Sequence, residues 1–292
     1  MNRPRTGLAV LAVAILVASA VGASPKAAAG QKTAYGLRLG VCDWTIGKTG
    51  DPAAFALAAG LGLDGVQVSL VPKGESLALA DPELRRVFLE AARKARIPIA
   101  SFAIGDLNEV PLKSDLRAEE WLAKGIDIAA AMDVEIILVP FFGKGELRDD
   151  PAGIDAVVAA LKRLAPKAEA RGVVLALESY LSAGDHLKIL DRVGSPAVRV
   201  YYDVGNSTNG GFDIVKEIRW LGKDRICQIH LKDKGYMGEG AINFPDVMRA
   251  VADIGFEGFA NLETSAPSGS IENDMRRNLK FIRDVMDQVR RS

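Results

Sequence analysis

From residue 37 onward, short runs rich in Val, Ile and Leu alternate with longer stretches whose apolar positions recur every three or four residues. The short runs fall at 37–43 (LRLGVCD), 65–71 (GVQVSLV), 97–103 (IPIASFA), 134–141 (VEIILVPF), 173–179 (VVLALES), 198–203 (VRVYYD), 225–231 (RICQIHL) and 258–263 (GFANLE). Their length and composition predict buried strands. Helices are predicted near 51–60, 81–95, 118–131, 151–170, 184–193, 212–221, 244–254 and 271–290. In the last of these, Ile271, Met275, Leu279, Ile282, Val285, Met286 and Val289 mark one apolar face. Asp-Pro pairs at 51–52, 81–82 and 150–151 set a capping carboxylate before a proline suited to the first helical turn. Gly172 closes the fourth helix.

Eight strands in strict alternation with eight helices require a parallel sheet with helical crossovers. Eight units in roughly 250 residues predict a closed (β/α)8 barrel of the TIM type, α/β in class and a single domain over 37–290. An open, doubly wound sheet is the alternative. It is disfavoured because Cys42-Asp43-Trp44 follows the first strand where a G-x-G-x-x-G turn would stand. Neither a P-loop nor a G-x-S-x-G motif occurs.

The first thirty residues follow a different pattern. Arg3 and Arg5 precede an apolar and small run from Gly7 to Ala18, followed by Ala18-Ser19-Ala20 and Val21-Gly22-Ala23. This layout predicts a signal peptide over 1–23, then an Ala-rich linker over 24–36. An uncleaved membrane anchor is the alternative, but the apolar run is shorter than the roughly 20 residues that span a bilayer. The expected location is therefore periplasmic or secreted, with no stable membrane association after cleavage.

Composition narrows the partners. With 37 basic and 37 acidic residues the chain has no net charge, so no basic field exists to hold a nucleic acid. A homo-oligomer is compatible with the sequence, which does not fix the oligomeric state. Export permits disulfides, yet only Cys42 and Cys227 are present. They fall on strands 1 and 7, two apart around the ring, hence roughly 10 Å apart at a strand spacing of about 4.8 Å. That exceeds the roughly 7 Å limit for a disulfide, so two free buried thiols are expected.

In such barrels the working residues lie at the C-terminal ends of the strands. Strand 5 carries Glu178 near its end, strand 6 ends in Asp203, strand 7 carries His230, and strand 8 ends in Glu263. Alternation along strand 7 sets Gln228, His230 and Lys232 on one face and Cys227, Ile229 and Leu231 on the other. The apolar set should meet the helices, which turns His230 toward the mouth. The same logic turns Glu178 inward and Leu175 and Leu177 outward. Each residue alone reads as a loop carboxylate, a helix cap or a structural histidine. Together, one imidazole and three carboxylates suit a divalent ion such as Mn2+, Mg2+, Co2+ or Zn2+. The second histidine, His186, lies at a helix start and is expected to be solvated.

The ordered segments LALES, YYDVGN, QIHLKD, MGEG and NLET resemble the sugar phosphate isomerase/epimerase family of xylose isomerase-like TIM barrels, over roughly residues 37–290. The resemblance implies one divalent ion, most simply Mn2+, held by Glu178, Asp203, His230 and Glu263. It also implies that Glu178 and Glu263 are the acid/base pair. Members that epimerise free ketoses often carry a His three residues after the metal Asp, where this chain has Asn206. They often carry an Arg six residues after the metal His, where it has Tyr236. Both departures weaken the link to that substrate class. Two histidines cannot build the multi-metal site of the nuclease relatives.

The implied chemistry is proton abstraction next to a carbonyl, giving an enediolate that a cation stabilises. Substrate-binding candidates are Lys232, which follows His230 on the same face, Glu239 within the Gly238–Gly240 turn, Asn206, and Trp44. For Trp44, as for Phe141 and Phe142, core packing is the favoured account over stacking on a sugar. The function expected is a metal-dependent isomerase or epimerase of a small carbohydrate. The alternatives are a lyase of the same barrel acting on a keto sugar, keto-glycoside or keto-inositol, and a non-catalytic carbohydrate-binding barrel.

Overall fold

The computed structural model describes Met1 and residues 36–291. The expected signal peptide, and the linker up to residue 35, lie outside the described residues. Eight parallel strands are present: β1 (Leu37–Cys42), β2 (Gly65–Ser69), β3 (Ile99–Ala103), β4 (Ile136–Phe141), β5 (Val174–Ser179), β6 (Val198–Asp203), β7 (Ile226–Leu231) and β8 (Gly258–Leu262). They close into a ring in sequence order, with β8 pairing β1. Every predicted strand is found, with ends shifted by no more than two residues. Both faces of each strand are covered, which is why they read as near-continuous apolar runs.

The main helices are α1 (Ala53–Leu61), α2 (Pro82–Ala95), α3 (Leu116–Ala131), α4 (Pro151–Arg171) and α5 (Ala183–Val193), then, after a short α6 (Val204–Asn209), α7 (Ile214–Arg225), α8 (Phe244–Asp253) and α9 (Ile271–Arg291). Asp81 and Asp150 cap α2 and α4 as their Asp-Pro pairs predict. Asp51 instead accepts from Ala53 N at 2.8 Å while Pro52 takes the cap position of α1. Gly172 closes α4 in the left-handed conformation.

Two elements depart from the predicted pattern. The run 65–71 stops as a barrel strand at Ser69, and a small ribbon pairs Pro72–Lys73 with Ser76–Leu77 across a turn at Gly74. Helix α6 consists of Val-Gly-Asn-Ser-Thr-Asn, poor helix formers throughout. It forms because Asp203, at the end of β6, accepts from Asn206 N at 2.8 Å.

The apolar core lies between barrel and helices, where Leu175, Leu177, Ile229 and Leu231 are all buried against the helical layer. The barrel interior is more polar, and Gln67, Ser101, Gln228 and Asn261 are fully or almost fully buried there. Gly40 on β1 leaves room for the Asn261 carboxamide, which a Cβ at that position would strike. Cys42 and Cys227 are free and buried, as the strand spacing predicts. The facing of Cys227 is a correction. Between β6 and β7 the pairing jumps from Val200–Ile226 to Tyr201–Gln228, so Cys227 is an unpaired bulge residue. It packs with Ala103, Leu138, Ala176 and Tyr201 rather than with the helix-facing residues.

His186 is also corrected. Rather than being solvated, it is buried behind β5, with Nε2 3.0 Å from Ser179 Oγ and Nδ1 3.1 Å from Ser182 O. Burial pushes its pKa down to about 4, so the ring is neutral near pH 7. Among the described residues, no helix is long and apolar enough to cross a membrane.

Candidate metal and catalytic centre

The four residues read from the strand ends meet at the C-terminal mouth. Glu178 points inward because its neighbours Leu177 and Ser179 face the helices. Asp203 ends β6 and opens α6, so helix formation itself fixes its carboxylate. His230 comes from β7. Glu263 follows β8 directly, its N–H donating to Leu231 O at 3.0 Å and so extending the strand pairing. One ligand atom from each residue lies within 4.8 Å of all the others. Ligands on opposite sides of a six-coordinate divalent ion lie roughly 4.2 Å apart, so a small contraction suffices to close on an ion.

Hydrogen bonding selects which atoms are free for that role. His230 Nε2 lies 2.7 Å from Gln67 Oε1, an oxygen that also accepts from Cys42 Sγ at 3.1 Å and Tyr201 OH at 3.3 Å. An oxygen has no proton to give, so His230 Nε2 donates to Gln67, and Nδ1 is the nitrogen left to offer a lone pair whenever the ring is neutral. Nδ1 lies 3.0 Å from Glu178 Oε1 and 3.6 Å from both Asp203 Oδ2 and Glu263 Oε2. Glu263 Oε1 is held by Trp44 Nε1 at 3.0 Å, and Asp203 Oδ1 by Asn206 N. This leaves Asp203 Oδ2 and Glu263 Oε2 aimed into the cluster. Asp203 Oδ2 is buried and no donor meets it with hydrogen-bond geometry, although Lys232 Nζ lies 2.7 Å away as an ion pair. A buried anionic oxygen lacking an aligned donor, beside an imidazole nitrogen facing the cluster and two further carboxylates, fits a divalent cation.

The electrostatics reflect this crowding. Burial, reinforced by Glu263 and Asp203, pushes the Glu178 carboxyl up to about 7 despite the pull of His230. Burial also works upward on Asp203, but the adjacent His230 ring and the Lys232 charge hold it well below the usual carboxylate range. His230 is pushed well above its ordinary value: burial opposes its charge, and the surrounding groups outweigh that opposition. Tyr201 and Cys42 are themselves pushed up by burial and are neutral near pH 7, so the carboxylates carry that upward pull.

Of the substrate-binding candidates, the structure brings three to the mouth. Trp44 is only partly buried, holds Glu263 and lies edge-on to His230 with ring centres 6.1 Å apart, so it is not simple core packing. Asn206 Nδ2 donates to Glu178 Oε1 at 3.3 Å. Lys232 Nζ lies 2.7 Å from both Asp203 Oδ2 and Glu263 Oε2. Glu239 is a correction: it is exposed and pairs with Arg277 on α9, because Gly238 seats the turn against Phe281 of that helix. Tyr236 also belongs to this attachment, donating to Asp274 Oδ1 at 2.9 Å beneath the Arg277 guanidinium. Phe141 is a core residue, whereas Phe142 meets Tyr180 edge-on.

Two supporting groups were missed in the sequence. The first is the hydrogen-bonded floor of Gln67, Tyr201, Gln228 and Asn261 beneath His230. Its signal was present as Gln and Asn at inward positions of otherwise apolar strands. The second is Asp43, fully buried, which binds Ser69 Oγ at 2.7 Å, Ser69 N at 2.8 Å and Gly50 N at 2.9 Å. It braces the loop that carries Trp44.

Fold and cluster together define an eight-stranded barrel with a carboxylate–imidazole centre at its mouth. The model of the family described as xylose isomerase-like TIM barrel matches residues 55–285, and the chain belongs to that family. It is 32% identical over 200 residues to a 2-epi-5-epi-valiolone 7-phosphate 2-epimerase from an Actinoplanes species, covering 67% of this chain and 72% of that protein. Among solved structures it is similar to an L-ribulose 3-epimerase, with TM-score 0.75, 17% identity and coverage of 87% of this chain and 96% of that one. A 3-keto-D-glucoside 4-epimerase from E. coli aligns with TM-score 0.71 at 14% identity, covering 85% and 99%. At these identities the structural likenesses establish the fold.

Proposed function

We propose that this protein is a divalent-metal-dependent epimerase or isomerase of a small carbohydrate carrying a carbonyl, a ketose or keto sugar. The observation that carries the reading is the convergence of Glu178, Asp203, His230 and Glu263, with two of its carboxylates on strands three apart around the ring. The epimerases among the relatives and neighbours support the same class.

In this reading all four residues hold one divalent ion, most simply Mn2+, with His230 binding through Nδ1. Bound there, the ion supplies a positive charge that favours the enediolate formed when a proton leaves the carbon beside the carbonyl. Glu178, buried at the end of β5 and facing the cluster, is placed to take or return that proton. Glu263 serves the opposite side of the substrate. Asn206 and Trp44 hold one oxygen of each carboxylate, so the proton-moving oxygens keep a fixed direction. The partly exposed face of Trp44 offers a wall for the sugar.

The pattern of residues 1–23 supports export, with residues 37–290 as the working barrel. The test is incubation of purified protein and Mn2+ in D2O with a panel of ketoses, 3-keto glycosides and their phosphorylated counterparts. Deuterium at the carbon beside the carbonyl of recovered sugar is the expected result. An unsaturated product would assign a lyase instead, and no exchange with any of the panel would reject the reading.

A further inference from the structure

Two of the three carboxylates at the mouth each have one oxygen tied by a protein donor and one aimed inward. Asp203 Oδ1 accepts from Asn206 N, and Glu263 Oε1 from Trp44 Nε1. The inward oxygens, Asp203 Oδ2 and Glu263 Oε2, face His230 Nδ1 at 3.6 Å each. Lys232 Nζ lies 2.7 Å from both of them. One ammonium therefore sits on the two oxygens that a metal ion would need.

We propose that Lys232 is a displaceable counter-ion, whose ammonium holds Asp203 and Glu263 when no metal is bound and must leave them for a divalent ion to bind. The inference rests on the metal-site reading above. Three carboxylates packed around one histidine repel each other strongly in a largely buried site, and a mobile cation relieves that repulsion. An ammonium and a divalent ion drawn to the same two inward oxygens repel each other at close range. Binding of one is therefore linked to release of the other, and each weakens the other by the same factor.

The fold provides for the movement. The lysine stem lies across the start of α6, where Gly205 has no side chain. A Cβ on Gly205 would come within 2.5 Å of Lys232 Cγ and 3.0 Å of its Cε. Lys232 is one-quarter exposed, unlike Asp203 and His230 beneath it, so its head has a way out toward the mouth. Once released, the ammonium stands at the rim of the cluster, within a side chain's length of any ligand held there.

The test measures metal binding and stability rather than turnover. Apoprotein of the wild type, Lys232→Met and Gly205→Ala is titrated calorimetrically with Mn2+, and each is melted with and without the ion. The expected result is roughly tenfold or greater tightening of Mn2+ binding in Lys232→Met, since a competitor for two of four ligands is gone. Its apoprotein should melt lower than the wild type, and the deficit should shrink or vanish in saturating Mn2+. A lysine with only a structural role would lower both melting temperatures alike and leave the affinity unchanged, and that result overturns the proposal. Gly205→Ala keeps the charge but crowds the stem, so it too should bind Mn2+ more tightly. If Lys232→Met does not fold, unchanged affinity in Gly205→Ala is the refuting result. If the wild type itself binds no divalent ion, the metal-site reading fails. If it binds and the variants match it, only the role of Lys232 fails.

Discussion

Replacing Gln67 with Leu should weaken metal binding although Gln67 touches no metal. Its Oε1 accepts from His230 Nε2 at 2.7 Å, Cys42 Sγ at 3.1 Å and Tyr201 OH at 3.3 Å, all in the fully buried floor. Leucine removes the acceptor and strands these donors. A buried donor left unpaired costs roughly 1–3 kcal/mol, and the thiol contributes little because it is a weak donor. Tyr201 still accepts from Asn261 Nδ2 at 2.6 Å, so its loss is partial. The sum is roughly 2–4 kcal/mol, or about 5–15 °C in Tm for a barrel of this size. The functional effect is separate. Without Gln67 nothing keeps the neutral ring's single proton on Nε2, and it moves to His230 Nδ1 in part of the population, with Glu178 Oε1 at 3.0 Å ready to accept it. Loss of such an orienting partner typically weakens a metal site roughly 10- to 100-fold.

Calorimetric titration of apoprotein with Mn2+, alongside thermal melts, measures both effects. Gln67→Glu sharpens the test, because a carboxylate beside Nε2 favours the imidazolium ring and puts a proton on Nδ1. Its Mn2+ affinity should be low near pH 7 and recover more steeply than the wild type as pH rises. Wild-type affinity in both variants, with the fold intact, would refute the assignment of Nδ1 as the metal-facing atom.

Glu178→Gln and Glu263→Gln should each lower kcat by roughly 100-fold or more with a smaller change in KM; near-normal turnover with metal content intact would show that another group moves the proton. His230→Ala should lose both bound metal and activity in elemental analysis and turnover assays, and active metal-free protein would reject the site. Because Glu178 carries a proton up to about pH 7 in the folded metal-free state against about 4.5 in its ordinary state, the folded chain binds more protons between those values. Apoprotein Tm should therefore fall as pH rises through that window, while Mn2+ affinity, which requires the proton to leave, should rise across it. In a Gram-negative host, fractionation should recover a mature chain beginning between Val21 and Gln31 outside the cytoplasm; full-length protein in the cytosol would reject export.

The barrel was legible in the sequence because both faces of its strands are buried, which writes each strand as a short apolar run between amphipathic helices. The convergence of the four side chains was legible because side chains alternate: Leu175 and Leu177 facing the helices force Glu178 inward, and Ile229 and Leu231 do the same for His230. The same rule misplaced Cys227, since the bulge between Ile226 and Gln228 resets the alternation by one residue. A bulge depends on how a neighbouring strand pairs, which no local pattern records. His186 was misjudged for a related reason. Its position at a helix start suggests exposure, but that helix end packs over Ser179 on the outer face of β5. Glu239 was placed by its glycines, whereas its true partner, Arg277, lies 38 residues away. Helix α6 escaped notice because its stability comes from Asp203 and the surrounding packing rather than from its own residues.

The inward polar residues form one connected path, and this explains why they survive in a core that apolar residues would fill at less cost. Gln228 Nε2 donates to Ala100 O at 2.6 Å, and its Oε1 accepts from Asn261 Nδ2 at 3.1 Å. Asn261 also reaches Tyr201, Tyr201 reaches Gln67, Gln67 holds His230, and His230 faces Glu178, which Asn206 holds from the far side. The path touches β3, β7, β8, β6, β2 and β5, so none of these six strands can shift without breaking a buried hydrogen bond. Helix-facing residues such as Ile229 and Leu231 hold the barrel together by burial, which tolerates small adjustments in direction. Inward residues set direction, which burial alone cannot do. In the proposed reading, holding an ion and aiming two carboxylates at opposite sides of a sugar needs fixed angles, and the floor beneath His230 supplies them.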